Sequence, residues 1–247
     1  MISKVEMVMG TAFSFLVEPG DLSIEQVNST IVRACTELHQ LDDRFSRWKP
    51  NSELSRYRSQ ELKELSSLMD EVFELCAHAC QISNGFFDPW SMPGGFDPTG
   101  LVKGWAAQRA LSILAQDNIE DALINAGGDI CVLANRPHEV GIQHPTEPGA
   151  LCGVVSTNSA IATSGTYERG DHLLNPFGGE IAAISATVVG GDLATADALA
   201  TALAVGGKEV LFLLEKIDGV EGFFITKSGS MFKTSNMMFA EVTSAVL

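Results

Sequence analysis

The sequence predicts a mixed α/β fold of the α+β kind, in which mixed sheets are flanked by helices. Segments that alternate apolar and polar residues, as half-buried strands do, are interspersed with segments whose apolar residues recur at helical spacing. No internal repeat and no linker of biased composition interrupts the 247 residues. We therefore expect one compact domain that spans residues 1–247.

The charge and the cysteines of the chain limit its partners and its compartment. It carries 31 acidic and 16 basic residues, a net charge of −15, which disfavours nucleic acid and anionic membranes as partners. No stretch has the order of a signal peptide, and no apolar run reaches transmembrane length. The five cysteines form no CxxC motif and no Cys/His cluster. These features predict reduced thiols in a cytoplasmic protein.

The first third of the chain predicts one strand and three helices. These are a strand at 6–17, a helix at 24–41, a short helix after Asn51 or Ser52, and an amphipathic helix at 62–82. Gly10 is a weak point in the strand or a place of close backbone approach, and Ser23 is a plausible N-cap of the first helix. Trp48 lies on a predicted turn, where it decorates the surface or stacks on a planar ring.

The stretch 84–104, NGFFDPWSMPGGFDPTGLVKG, has the composition of an ordered loop that opens into a helix. Its glycines and prolines exclude a helix or an internal strand over most of its length, and its aromatic residues argue against disorder. After Gly100 the pattern becomes helical. A glycine-rich loop that leads into a helix offers N–H groups and a positive dipole end to an anion. Two interpretations of this stretch remain open. It forms a ligand site, or it is a connection between two core elements that requires unusual backbone conformations.

Strands and helices alternate in the rest of the chain. The predicted elements are two strands around the GGD motif within 122–134, a hairpin at 140–155 with its turn at 144–145, a buried strand at 182–190, helices at 192–205 and 208–217, and strand-like segments at 222–226, 230–234 and 238–242. Asp129, after the paired glycines, could cap, turn or bind. His172 lies in a polar loop, and both a chemical and a structural role are open for it.

The helix predicted at 192–205 has almost no charge, yet it contains an acid and a hydroxyl one turn apart. Asp197 and Thr201 are at positions i and i+4, so both side chains project from the same face. Polar groups on an otherwise apolar helix need a partner, and a hard cation is a natural one. The pair therefore indicates a metal site.

Several sequence blocks follow one another between residue 9 and about residue 207. They are MGT at 9–11, FSRWKPNSELSRYR, GFFDP, DPTGLVKGWAAQRA, LINAGGDI, ATSGTYERGDHLLNP and TADALATALAVGG. Together they resemble the FAD:protein FMN transferase family of flavin transferases. The resemblance implies a single flavin transferase domain over residues 1–247. It also implies a magnesium-dependent enzyme that splits FAD, transfers FMN to a threonine of an acceptor flavoprotein through a phosphoester, and releases AMP.

The same resemblance implies a role for particular residues. FAD contacts are implied at Met9, Trp48, Phe86, Phe87, Asp88, Asp97, Lys103 and Leu174. Mg²⁺ ligands are implied at Asp197, Thr201 and the backbone carbonyl of Gly100. Asp197 and His172 are the implied catalytic residues, with His172 as the base near the acceptor.

The chain also departs from the family pattern. Asn175 and Gln108 stand where the family commonly has aspartate, and the segment between Asp88 and Asp97 is short. The lipoprotein signal is missing, as in cytoplasmic members. These departures bear on acceptor specificity and rate more than on flavin binding.

Two alternatives use the same flavin site. One is an FAD pyrophosphatase that releases FMN and AMP to water, and the other is a flavin-binding protein without turnover. A Rossmann oxidoreductase is disfavoured, because the GGD motifs at 127–129 and 190–192 do not form GxGxxG after a strand.

Overall fold

A computed structural model describes residues 1–62, 64–166 and 173–240. Ten strands and six helices lie within these ranges. The strands are β1 (Ile2–Val8), β2 (Thr11–Glu18), β3 (Asp121–Ala126), β4 (Asp129–Leu133), β5 (His138–Gln143), β6 (Leu151–Thr157), β7 (Ala160–Gly165), β8 (Ser185–Val189), β9 (Glu221–Ile225) and β10 (Met231–Lys233). The helices are α1 (Ile24–Phe45), α2 (Glu53–Arg58), α3 (Ser67–Ile82), α4 (Thr99–Gln116), α5 (Leu193–Gly206) and α6 (Lys208–Leu214).

Eight of the strands form one sheet in the order β1-β2-β3-β4-β7-β8-β9-β10, and β5 pairs with β6 as a separate hairpin. Each of these pairs is antiparallel. The predicted mixed α/β class is confirmed. The sheets themselves are antiparallel rather than mixed.

Helices cover one face of the large sheet. Helix α5 packs on β7 and β8, α4 packs on β3 and β4, and the two helices also contact each other. Nearly every side chain of α5 is buried, which accounts for its apolar sequence. The other face is covered locally by the β5–β6 hairpin, whose Val140, Ile142 and Val155 join a second apolar cluster with Ile130 and Ile161.

The prediction of one strand at 6–17 is wrong, because the segment is a hairpin of β1 and β2. Met9 and Gly10 form its turn, with φ of 53° and 73°. A tight turn with positive φ at both positions joins two twisted strands. Alternation of apolar and polar residues continues on both sides of such a turn, so the pattern alone does not reveal the reversal.

Capping residues explain where the predicted helices begin. Ser23 and Gln26 form a capping box at the start of α1, and Ser52 caps α2. Helix α3 begins at Ser67 rather than at residue 62, because the Ser66 hydroxyl accepts a hydrogen bond from the N–H of Met69. In α4 the helical pattern after Gly100 is confirmed, with the first turn at Thr99.

The predicted elements of the second half are largely confirmed. The exception is the strand at 238–242, since residues 238–240 are not in a strand and residues 241–242 lie outside the described ranges. Ala240 nevertheless donates an N–H hydrogen bond of 2.7 Å to the Val154 carbonyl. His172 also lies outside the described residues, and one domain over 1–247 stays a prediction. None of the helices in these ranges combines the length and apolar character that a bilayer span requires.

Candidate active site

One pocket collects most of the residues that the sequence marked. It lies between the first turns of α4, the middle of α5, the ends of β3 and β7, and the central loop (residues 84–98). The predicted flavin contacts that line it are Phe86, Phe87, Asp88, Asp97, Lys103 and Leu174. The predicted metal ligands Gly100, Asp197 and Thr201 line the same pocket.

Met9 and Trp48 are not among the pocket-lining residues. The side chain of Trp48 is 83% exposed, and the Arg47 guanidinium lies 5.1 Å from the centre of its ring. Met9 is in the β1–β2 turn, and the pairing of Phe13 with Ala126 puts that turn at the same edge of the sheet as Gly127. Met9 is therefore close to the pocket wall, whereas Trp48 is on the surface.

Glycines allow α4 and α5 to approach closely beside this pocket. A Cβ atom added at Gly104 would lie 2.4 Å from the carbonyl oxygen of Leu193 and 3.1 Å from the Cβ of Asp197. One added at Gly100 would lie 3.4 Å from the Thr201 hydroxyl. Gly100 and Gly104 are thus one turn apart on α4 and face Asp197 and Thr201, which are one turn apart on α5.

Asp197 and Thr201 are tied to their neighbours by hydrogen bonds. Oδ2 of Asp197 accepts the backbone N–H of Gly104 over 3.2 Å, and Asp197 is only 4% exposed. The hydroxyls of Thr201 and Ser164 lie 3.0 Å apart, which joins α5 to β7. A buried carboxylate and a partly buried hydroxyl therefore lie on the same side of α5, at the pocket.

Lys103, on α4, lies between the carboxylates of Asp129 on β4 and Asp197 on α5. Its ammonium forms an ion pair with Asp129 and lies 3.5 Å from Oδ2 of Asp197. The sequence alone allows Asp129 to cap a helix, to form a turn or to bind a ligand. Its carboxylate is buried in the pocket wall, where Oδ1 accepts the N–H of Thr163 over 2.9 Å.

Asp97 is held by partners that sequence reasoning missed. Its carboxylate is 1% exposed, and Oδ2 accepts a hydrogen bond of 2.6 Å from Arg47. Oδ1 accepts the N–H of Thr99 over 3.2 Å at the start of α4. The family resemblance marks Trp48 but not the adjacent Arg47, although Arg47 is the residue that contacts Asp97. The signal that could have identified Arg47 is its position as a basic residue within the FSRWKPNSELSRYR block.

The aromatic residues of the central loop divide between two places. Phe87 is buried in the pocket wall, and Phe86 meets Phe177 edge to face with ring centres 5.0 Å apart. Phe96 instead stacks on Phe73 at 4.1 Å, and Trp90 packs against the same pair. Among the aromatic residues that the structure describes, Phe86 and Phe87 are the ones that line the pocket and offer flat apolar surfaces to a ligand.

The polar groups of this pocket suit a hard cation such as Mg²⁺. Apart from the Lys103 ammonium, its polar side chains present carboxylate and hydroxyl oxygens, which Mg²⁺ prefers, and no histidine or cysteine is among the pocket-lining residues that the structure describes. Within the described ranges no group of three or more His, Cys, Asp or Glu residues is arranged to hold a metal. Asp197 and Thr201 would thus supply only part of a coordination shell. The remaining positions suit water or phosphate oxygens, as is usual for Mg²⁺.

Curated relatives with similar sequence are flavin transferases. The chain is 36% identical over 157 residues to the FAD:protein FMN transferase of Rhodobacter capsulatus, a match that covers 57% of this chain and 30% of that protein. It is 32% identical over 155 residues to the protein of the same name from Escherichia coli (strain K12), covering 56% of this chain and 44% of that protein. The chain therefore matches less than half the length of these relatives.

Solved structures with the same fold extend the match to nearly the whole chain. The flavin transferase ApbE from Vibrio cholerae superposes with a TM-score of 0.77 at 18% identity, covering 95% of this chain and 97% of that one. The apbe protein from Thermotoga maritima gives a TM-score of 0.79 at 19% identity with the same coverage. The model of the ApbE family matches residues 9–95 and 91–224. Since those two segments include well over half of the sequence, the chain belongs to the ApbE family.

Proposed function

We propose that this protein transfers FMN from FAD to a threonine of an acceptor protein and releases AMP. The proposal rests on one observation: Asp197, Thr201 and Lys103 lie together near the start of α4, in a pocket whose wall contains two phenylalanines. The names of the curated relatives support the same activity. The pocket has groups that are complementary to anionic phosphates, to a flat ring and to a divalent cation.

In this proposal the FAD phosphates lie at the start of α4. The Lys103 ammonium and the positive end of the helix dipole attract them. Phe86 and Phe87 contact the isoalloxazine or the adenine, and Asp88, Asp97 and Leu174 complete the contacts. Met9, beside the pocket wall, and the exposed Trp48 are the outer contacts. Burial of Asp97 and Asp197 excludes water and strengthens the electrostatic interactions inside the pocket.

Mg²⁺ is the proposed metal, held by Asp197, Thr201 and the carbonyl of Gly100. When bound, such an ion polarises phosphoryl oxygens and neutralises their charge. Asp197 would hold the ion with its carboxylate while the Gly104 N–H keeps that carboxylate oriented.

The acceptor hydroxyl attacks the phosphorus atom of the FMN moiety, and the bond between that phosphorus and the oxygen of AMP breaks. The hydroxyl proton must go to a base, for which we propose His172. Support comes from its neighbours in the chain, because Gly165 and Leu173 on either side of residues 166–172 both line the pocket.

We further propose that the chain acts as one domain in the cytoplasm and has no nucleic-acid partner. The support is the absence of a CxxC motif and the net charge of −15. Detection of disulfides in protein taken from its native cells would contradict the proposed compartment.

The test is incubation with FAD, Mg²⁺ and candidate acceptor proteins, followed by intact-mass measurement of the acceptor. The proposal expects a mass increase equal to one FMN phosphoester, lost when EDTA is present or when the target threonine is replaced by valine. Release of FMN and AMP without a modified acceptor would make the protein a pyrophosphatase. Tight FAD binding with no cleavage would make it a flavin-binding protein.

A further inference from the structure

Lys103 lies between two buried carboxylates, and its ammonium is closer to one of them than to the other. The ammonium is in direct contact with Oδ2 of Asp129 and 3.5 Å from Oδ2 of Asp197. The side chains of the two aspartates are only 3% and 6% exposed, and that of Lys103 is 14% exposed. The closer partner, Asp129, has no part in the flavin and metal contacts proposed above.

The backbone holds Asp129 in place. It is the first residue of β4, and its Oδ1 accepts the N–H of Thr163 on the neighbouring β7 over 2.9 Å. The strands are paired through Ile130 and Ile161, directly beside this bond. Lys103, in contrast, has a long flexible side chain. The position of the ammonium is therefore set by Asp129 rather than the reverse.

An ammonium and a divalent cation compete for Asp197. A positive charge beside that carboxylate weakens its attraction for a metal and repels the metal directly, and both effects are strong in a buried site. The proposed function nevertheless needs Lys103 in the pocket, since its charge attracts the phosphates of FAD. The two requirements are compatible only if the ammonium has a nearer partner.

We propose that Asp129 is a positioning residue that holds the Lys103 ammonium at the pocket wall, so that Asp197 remains available to a divalent cation. This inference rests on the proposed function, in which Asp197 is a metal ligand. Without the carboxylate of Asp129, the ammonium moves onto Asp197 and occupies the place of the cation.

The test measures the affinity of the protein for Mn²⁺ with neither FAD nor acceptor present. Electron paramagnetic resonance detects the Mn²⁺ that remains free in solution. Asp129→Asn keeps an oxygen for the Thr163 N–H and removes only the charge. We expect it to weaken Mn²⁺ binding by roughly 10–100-fold, the usual effect of losing a residue that supports a metal ligand. Unchanged Mn²⁺ affinity would overturn the proposal.

Lys103→Met provides the background that separates positioning from a direct effect of charge. The charge of Asp129 acts on the metal in both backgrounds, whereas positioning requires Lys103. We therefore expect Asp129→Asn to cost at least about fivefold more affinity in the wild-type background than in Lys103→Met. Equal losses in the two backgrounds would refute the proposal.

Lys103→Met alone gives a second, independent result. It removes the competing ammonium and is expected to bind Mn²⁺ at least as tightly as the wild type, so weaker binding overturns the proposal even if Asp129→Asn fails to fold. A wild-type protein that binds no Mn²⁺ refutes the metal site of the proposed function together with this inference. A protein that binds Mn²⁺ and transfers FMN, but shows equal losses in both backgrounds, refutes the inference alone.

Discussion

The backbone N–H of Gly104 on α4 donates a hydrogen bond to the buried carboxylate of Asp197 on α5. This bond exists because position 104 has no side chain. A β-carbon there would lie 2.4 Å from the carbonyl oxygen of Leu193, which forms part of the backbone of α5. The same glycine therefore permits the packing of two helices and orients a proposed metal ligand.

Replacing Gly104 with alanine is expected to lower the free energy of unfolding by about 1–3 kcal/mol, the usual cost of overpacking. Alanine has a higher helix propensity than glycine, by about 1 kcal/mol, so a net loss identifies the packing conflict. Urea denaturation measures the effect. Ser112→Ala on the exposed face of α4 is the control and should change stability by less than about 0.5 kcal/mol. A Gly104→Ala variant as stable as the wild type would contradict the close helix contact.

Arg58 is expected to hold the central loop in its shape. Its guanidinium donates to the carbonyls of Pro93, Gly95 and Phe96 over 2.7–2.9 Å. Arg58→Ala should lower the free energy of unfolding by about 1.5–3 kcal/mol, as hydrogen bonds from a charged group are lost. Limited proteolysis should show faster cleavage within residues 90–98, and FAD binding should weaken.

The matched control for that variant is Arg56→Ala, since Arg56 lies in the same short helix and is exposed. It should leave both proteolysis and FAD binding close to wild type. Equal cleavage rates in the two variants would show that Arg58 does not hold the loop.

Asp197→Asn should fold normally and lose the FAD-splitting activity that depends on a divalent cation. A metal ligand contributes several kcal/mol to the stabilisation of the transition state, so the rate should fall by about 10²-fold or more. FAD affinity in EDTA should stay within a few-fold of wild type. Thr195→Ala, in the same helix but outside the pocket lining, is the control. Full activity of Asp197→Asn at low Mg²⁺ would place the metal elsewhere.

His172→Ala should keep FAD affinity within a few-fold and reduce FMN transfer to a threonine by about 10²–10⁴-fold, the range for a general base. His78→Ala, an exposed histidine on α3, is the comparison. Transfer rates at saturating FAD and Mg²⁺ measure the effect. Loss of FAD binding with normal transfer would make His172 a binding residue, and no change in either would make it a loop histidine.

The buried thiols are expected to react slowly in the folded protein. Burial raises the pKa of Cys35 to about 11 and that of Cys131 to about 12. Burial also raises the pKa of Cys76. The reactive thiolate fraction of Cys35 at pH 8 is then on the order of 10⁻³, and that of Cys131 is smaller still. Because each pKa lies above the assay range, the rate with Ellman's reagent should rise with pH throughout it. Rapid modification of all five cysteines without denaturant would contradict this burial.

Local sequence signals were sufficient for much of the fold. Ser23, the predicted N-cap, correctly marked the start of α1, and an almost charge-free apolar run predicted the buried helix α5. Both signals involve residues within one or a few turns of each other. The turn at Met9–Gly10 was not predicted, because a tight hairpin leaves the alternation of its two strands uninterrupted.

The sequence by itself determined that Asp197 and Thr201 lie on one helix face, because of their spacing, and that the glycine-rich loop leads into a helix. The tertiary structure alone decided which groups they meet. Arg47 pairs with Asp97 across 50 positions of the chain, and Gly104 bonds to Asp197 across 93. The ion pair of Lys103 with Asp129 likewise depends on how α4 packs against β4. Helical spacing is a property of neighbouring residues, whereas these partners are brought together only when burial of apolar surface packs the helices onto the sheet.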